Sequence, residues 1–207
     1  MVKEKHQVVI VERGWKDYLG ECLLIVFSVA LAIGVTEYFN NLHDKNKDHE
    51  ILQQLKDELT SNKNDAQDQY AYHLQVFKLI DSAKNNPAFA KKFLDSGKIH
   101  LGILFPEGVL LNDLNQVAWQ QAKQSDIFSR IDLKTYSLLT DVYNAQDRFL
   151  NLEPELAKIL FSYDSRKPEN LQVTLTLIHD AVFGWVVERT PHLLENYQKA
   201  IDALSKY

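Results

Sequence analysis

YLGECLLIVFSVALAIGVTEYF, Tyr18 to Phe39, is the one stretch of this 207-residue chain that reads as a membrane span, and it divides everything else. It leaves a tail of 17 residues on one side and 168 residues on the other. A helix rises about 1.5 Å per residue, so a hydrocarbon core of roughly 30 Å takes about 20 residues to cross. The charge-free part, Cys22 to Thr36, has only 15. A full crossing therefore takes in Glu21, Glu37 or both, unless the bilayer thins locally. Trp15 and Tyr18 on one side, and Tyr38 and Phe39 on the other, sit where aromatic belts anchor a helix at its interfaces.

Both glutamates stand near the ends of the span, where charged groups reach for the headgroups. A sharper reading has Glu21, one turn inside, protonated or paired between copies of the helix. Ala30 with Gly34, and Ser28 with Ala32, are small residues four apart, a spacing that lets two helices approach closely. Three other readings compete for the segment. A cleaved signal peptide could end at Ala30-Leu31-Ala32, but its n-region would be long and acid-containing, and apolar residues continue past the site. A lipoprotein anchor at Cys22 fails, because the apolar run follows the cysteine. A buried core helix of a soluble protein does not account for the aromatic flanks.

Lys3, Lys5, Arg13 and Lys16 precede the span, whereas only Lys45 and Lys47 lie in the 15 residues after it. That asymmetry favours a cytoplasmic N-terminus and a C-terminal domain outside the cytoplasm. Residues 40–207 carry 19 Lys and Arg against 23 Asp and Glu, a net of −4. No positive field suited to nucleic acid arises from that balance. The single cysteine lies in the span, so the large domain forms neither a disulfide nor a thiolate metal site.

No glycine or proline occurs from Val35 to Asn86, so nothing there has to break a helix. Leu52, Leu55, Leu59, Asn62, Ala66, Gln69, His73, Val76 and Ile80 recur at alternating spacings of three and four. This is a coiled-coil-like seam diluted by polar residues. Leu52, Leu55, Leu59, Val76 and Ile80 are its apolar members and candidates for stalk self-association. The polar run from Asn41 to Glu50 predicts a bend near Asn40-Asn41. Beyond it, Asn86-Pro87 is a helix start and Gly97 its stop. KIHLGILFPEGVLL (98–111) reads as an extended, partly buried connection, since a lone hairpin has no sheet to join. Asn112 or Asp113 can cap a helix reaching Lys123, and Asp132 the next, striped by Tyr136, Leu139, Tyr143, Gln146 and Leu150. Pro154 marks a kink or a new start, Pro168 opens another helix, and Thr190-Pro191 reads as an N-cap and first turn.

The expected fold is all-α: an N-terminal transmembrane helix at 18–39, a long juxtamembrane stalk helix at 40–84, and a four- or five-helix bundle at 85–207, after a cytoplasmic tail at 1–17. No phosphate loop, nucleophile elbow, CxxC pair or HExxH occurs. His43 and His49 are six apart and fall on different helix faces, the wrong spacing for a metal pair. His179-Asp180 reads as a hydrogen-bonded histidine at the edge of a core. Trp119, Trp185, Tyr136, Tyr143 and Tyr197 read as packing. No catalytic residue, cofactor or metal ligand is assigned.

Two segments resemble a widespread group of uncharacterised single-pass membrane proteins of Gram-negative bacteria. In the first, Gly20-Glu21 enters an apolar helix, Asn40-Asn41 follows its exit, and Leu52 to Leu59 closes a charged stretch. Tyr38-Phe39 stands where the group carries a tryptophan. In the second, Ala118 to Phe149, Trp119, Ser125, Tyr136, Leu139 and Tyr143 sit at matching positions. The resemblance implies an inner-membrane anchor and brings no catalytic residue with it. The expected role is non-enzymatic: a membrane-anchored helical domain in contact with the lipid bilayer that binds a protein partner or a second copy of itself. The alternative is a tethered sensory or small-ligand-binding module.

Overall fold

A computed structural model describes Gly14–Tyr207. The tail expected over 1–17, with three of its four basic residues, lies outside the described residues except for its last four positions. The fold is all-α, with one pair of two-residue strands among the described residues. Helix α1 spans Trp15–Asn85, and its helical assignment passes through Asn40-Asn41 without interruption. The chain divides into two compact units, one ending at Asp48 and one running from His49 to Tyr207. The boundary expected at residue 84 therefore falls at 48/49: residues 49–84 belong to the folded domain and are not a stalk.

In the first unit the apolar part of α1 is fully exposed. An 18-residue window has a mean hydropathy of 2.2 and no residue buried. One helix, near the N-terminus, is thus long and apolar enough to cross a membrane. The hydroxyls in that stretch are satisfied within the helix. Ser28 Oγ donates to the Leu24 carbonyl at 2.7 Å and Thr36 Oγ1 to that of Ala32 at 2.8 Å, so neither demands water.

The second unit is built around the C-terminal half of α1. Asn86 caps α2 (Pro87–Phe93) by accepting from the Ala88 and Phe89 amides at 3.0 and 3.2 Å. The chain then turns through a hairpin of β1 (Leu94–Asp95) and β2 (Lys98–Ile99). Ser96 and Gly97 carry φ of 49° and 79°, the two positive values that a type I′ turn requires. Gly97 is therefore a hairpin residue and not a helix stop. An irregular segment leads to α3 (Val117–Lys123), followed by α4 (Leu133–Leu150), α5 (Leu152–Leu160) and α6 (Leu171–Val182). A π turn, Phe183–Val187, joins α6 to α7 (Thr190–Leu204).

Most of the start signals hold. Asp132 caps α4 by accepting from the Thr135 amide at 3.0 Å and hydroxyl at 2.9 Å. Pro154 lies in the first turn of the new helix α5. Thr190 is different: its hydroxyl donates back to the Val186 carbonyl at 2.7 Å, because the π turn delivers the chain to α7 already helical. The core sits where α4 packs on α7 and α5 on α6, with α1 laid against them. Leu55, Leu59, Val76, Ile80, Leu139, Tyr143, Phe149, Leu175, Ile178 and Tyr197 are all essentially inaccessible to solvent.

Candidate functional site

The seam of α1 is where the sequence reading and the structure part company. Leu52, Leu55, Leu59, Val76 and Ile80 are buried within their own chain. They are not available to a second copy, so stalk self-association along them is replaced by intramolecular packing. The polar members that diluted the seam, Asn62, Gln69 and His73, have no exposed surface at all.

Those polar residues hold the irregular segment that precedes α3, in antiparallel order. Tyr72 Oη donates to the Gly108 carbonyl at 2.6 Å and accepts from the Glu107 amide at 3.3 Å. His73 Nε2 donates to the Val109 carbonyl at 2.7 Å. Gln69 Oε1 accepts from the Leu111 and Asn112 amides at 2.6 and 2.9 Å. Asn62 accepts from the Asn115 amide at 2.8 Å and donates to the carbonyl of the same residue at 2.6 Å. Glu58 then accepts from the amides of Ala118 and Trp119 at 2.7 and 3.3 Å. A segment with no ladder of its own must find partners for each buried amide and carbonyl. Here one helix face supplies them, at positions 58, 62, 69, 72 and 73.

This also explains why α3 begins at Val117 and not at Asn112 or Asp113. Its own N-cap residue, Gln116, makes no side-chain cap bond. The cap is the Glu58 carboxylate, sixty residues earlier in the chain, and a negative charge there suits the positive end of a helix. Glu58 also accepts from Tyr143 Oη at 2.6 Å, and Tyr143 stacks on Trp119 with ring centres 4.7 Å apart. Burial, with the Glu58 carboxylate beside it, pushes the Tyr143 phenol far above its ordinary acidity range, and burial does the same to Tyr197. Both stay neutral hydrogen-bond donors.

Gln146 on α4 closes the network. Its Oε1 accepts from Tyr197 Oη at 2.6 Å and from Asn62 Nδ2 at 3.2 Å. Its Nε2 donates to the Leu114 and Asn115 carbonyls at 3.1 and 3.0 Å. All four of its hydrogen-bonding positions are used. Among the described residues, every buried side-chain nitrogen and oxygen has a partner. A network so completely satisfied fixes a structure; it leaves no group pointed at a ligand.

The remaining sequence candidates scatter. His43 and His49 are exposed. Among the described residues no three His, Cys, Asp or Glu side chains gather as a metal site. His179 is tied to two carboxylates, Asp180 at 3.0 Å and Asp81 at 3.5 Å, and lies 4.5 Å from the Phe77 ring, joining α6 to α1. Glu21, Ser28, Ala30, Ala32 and Gly34 lie along the exposed apolar part of α1, where a Cβ on Gly34 would meet nothing within 4 Å.

What sequence reading missed is the outer face of α6. Thr174, Leu175, Ile178 and Val182 face the core, yet Val173 and Leu177 on the other side are 61% and 47% exposed and line a shallow groove with Gln172 and Thr176. Phe161 and Tyr163, which follow α5, are each 78% exposed. The signal was present in LQVTLTLIHDAV, which is apolar at too many positions for a helix with a single buried stripe. No family model, curated protein or solved structure matches the chain.

Proposed function

We propose that the protein is a single-pass membrane protein whose domain from residue 49 onward docks a protein partner at the bilayer surface and catalyses no reaction itself. The observation that carries the reading is the pair of apolar side chains, Val173 and Leu177, left exposed on the outer face of α6 opposite its buried stripe. Neighbouring apolar groups exposed in a groove suit contact with another protein surface. The exposed apolar stretch of α1 supports the anchor, because an 18-residue apolar helix surface is stable only against lipid or protein. The four-against-two distribution of basic residues around the span supports a cytoplasmic N-terminus and a domain outside the cytoplasm. With the resemblance to Gram-negative membrane proteins, this favours the inner membrane. The exposed small-residue faces at Ser28/Ala32 and Ala30/Gly34 suit helix pairing within the bilayer.

The test is a photoreactive side chain placed at Val173 or Leu177 in the full chain in its native membrane. A discrete adduct is expected at both positions, and none from the same probe at Lys158, which is exposed on α5. With the probe at one of these positions, Asp at the other (Leu177→Asp or Val173→Asp) should abolish the adduct without changing the unfolding midpoint. An adduct of twice the chain mass identifies a second copy; any other single mass identifies a different partner. Absence of adducts at both positions would overturn the reading. A pair of C-terminal topology reporters, one active only outside and one only inside the cytoplasm, checks orientation.

A further inference from the structure

Between the last turns of α4 and the first turns of α7 lies a cleft of about 230 Å³ whose floor is Ala145, Phe149 and Leu193. Arg148, Arg189, His192 and Asn196 stand around it. Among the described residues neither arginine is in an ion pair. Arg148 donates through Nε to the Asn144 carbonyl at 3.2 Å and makes no other hydrogen bond there, which leaves both terminal nitrogens free. The Arg189 guanidinium lies 4.3 Å over the Trp185 ring, an arrangement that fixes its plane while sparing its N–H donors. The π turn carries Trp185 into that position, and π turns interrupt helices often at functional sites.

Four lysines of the same domain hold a carboxylate at salt-bridge distance. Lys158 is paired with Glu155, Lys167 with Asp164, Lys199 with Glu195, and Lys206 with Asp132. Glu195, three residues after His192, has its carboxylate bound by Lys199 at 2.7 Å. In a chain of net charge −5, two arginines and a histidine border one apolar-floored cleft.

We propose that this cleft binds a small amphiphilic organic anion, a phosphate monoester or carboxylate whose apolar body rests on Phe149 and Leu193. Guanidinium groups suit such heads because their N–H pairs match two oxygens at once. The volume lies below the roughly 300–1,000 Å³ of pockets for drug-sized ligands, which selects a ligand of about ring size. Asn196 supplies a neutral amide that accepts or donates at the rim. The α6 groove shares no residue with this cleft, so the two readings stand or fall separately.

The experiment titrates phenyl phosphate against the full chain in nanodiscs of zwitterionic lipid, followed by broadening of the ligand's phosphorus resonance. Saturable binding is expected, with Arg148→Gln and Arg189→Gln each weakening it about ten-fold, as loss of a charge-assisted hydrogen bond does. Asn196→Asp, which keeps both arginines and adds a carboxylate to the rim, should weaken binding similarly and guards against a folding artefact. Lys91→Gln on α2 should change nothing. Unaltered affinity in both arginine variants, or full displacement of phenyl phosphate by an equal concentration of neutral benzyl alcohol, would overturn the proposal. Inorganic phosphate binding as tightly as phenyl phosphate would overturn the amphiphilic class. Repeating the titration with phosphatidic acid in the nanodisc separates two sources of the same chemistry. Undiminished binding assigns a soluble anion, and competitive loss assigns a lipid headgroup.

Discussion

His73 is held neutral by what surrounds it. Burial lowers its pKa, opposed only in part by the hydrogen bond to the Val109 carbonyl. A carbonyl can only accept, so Nε2 carries the proton and Nδ1 is left to accept from the Gln69 amide at 3.3 Å. A second proton would set two donors against each other. In the unfolded chain the same imidazole takes up a proton near pH 6.5. Unfolding therefore binds a proton in that range, and stability falls as pH drops below about 6.5 toward the lowered native value. Urea titrations between pH 7.5 and 5 should show this decline, and His73→Gln should flatten it; an equal slope in the variant would refute the assignment. Glu58 makes a second residue-scale case. Glu58→Ala removes the acceptor for two α3 amides and for the Tyr143 hydroxyl, and should cost about 1–3 kcal/mol in urea unfolding.

At the scale of elements, α1 carries two helices' worth of function under one assignment. Its C-terminal half is a core helix, so Leu55→Ala or Leu59→Ala should destabilise the domain by about 2–5 kcal/mol. A charge at either position should unfold the domain and not merely separate copies; size-exclusion chromatography together with circular dichroism distinguishes the two. In the apolar half, Val29→Arg adds roughly 2.5–3.5 kcal/mol to the cost of inserting the segment. The variant should shift from the carbonate-resistant membrane fraction to the extractable one. Persistence in the pellet as an integral protein would count against a span at 18–39. The start of α3 teaches a related lesson. Asn112 and Asp113 are good cap residues by type, but the backbone around them is engaged by Gln69 and Asn62, so the helix waits for the cap that Glu58 supplies.

For the whole molecule, the unit from His49 to Tyr207 contains its own core and satisfies its own buried polar groups. A fragment of residues 49–207 should therefore fold alone, with a single cooperative transition and the hydrodynamic size of a monomer. A fragment that begins after Lys84 should not, because it lacks Leu55, Leu59, Val76 and Ile80 from the core and the side chains that hold residues 107–119. Failure of the longer fragment to unfold cooperatively would show that the core extends into the apolar half of α1.

Much of this was legible in the sequence, for a definite reason. Helix starts at Asn86-Pro87 and Asp132, the all-α class and the single apolar stretch are set by local chemistry: which side chain reaches which amide, and how many residues in a row exclude charge. The alternating three-four pattern of α1 likewise announced a buried face. It could not announce what covers that face, because a heptad pattern looks the same whether the partner helix comes from another copy or from the same chain. Asn62, Gln69 and His73 looked like dilutions of the seam for the same reason. Their partners are backbone groups 36 to 53 residues away, and only chain closure brings those groups within reach. Tyr18 to Phe39 kept the meaning that its own composition gave it, while Leu52 to Ile80 acquired theirs from the rest of the fold.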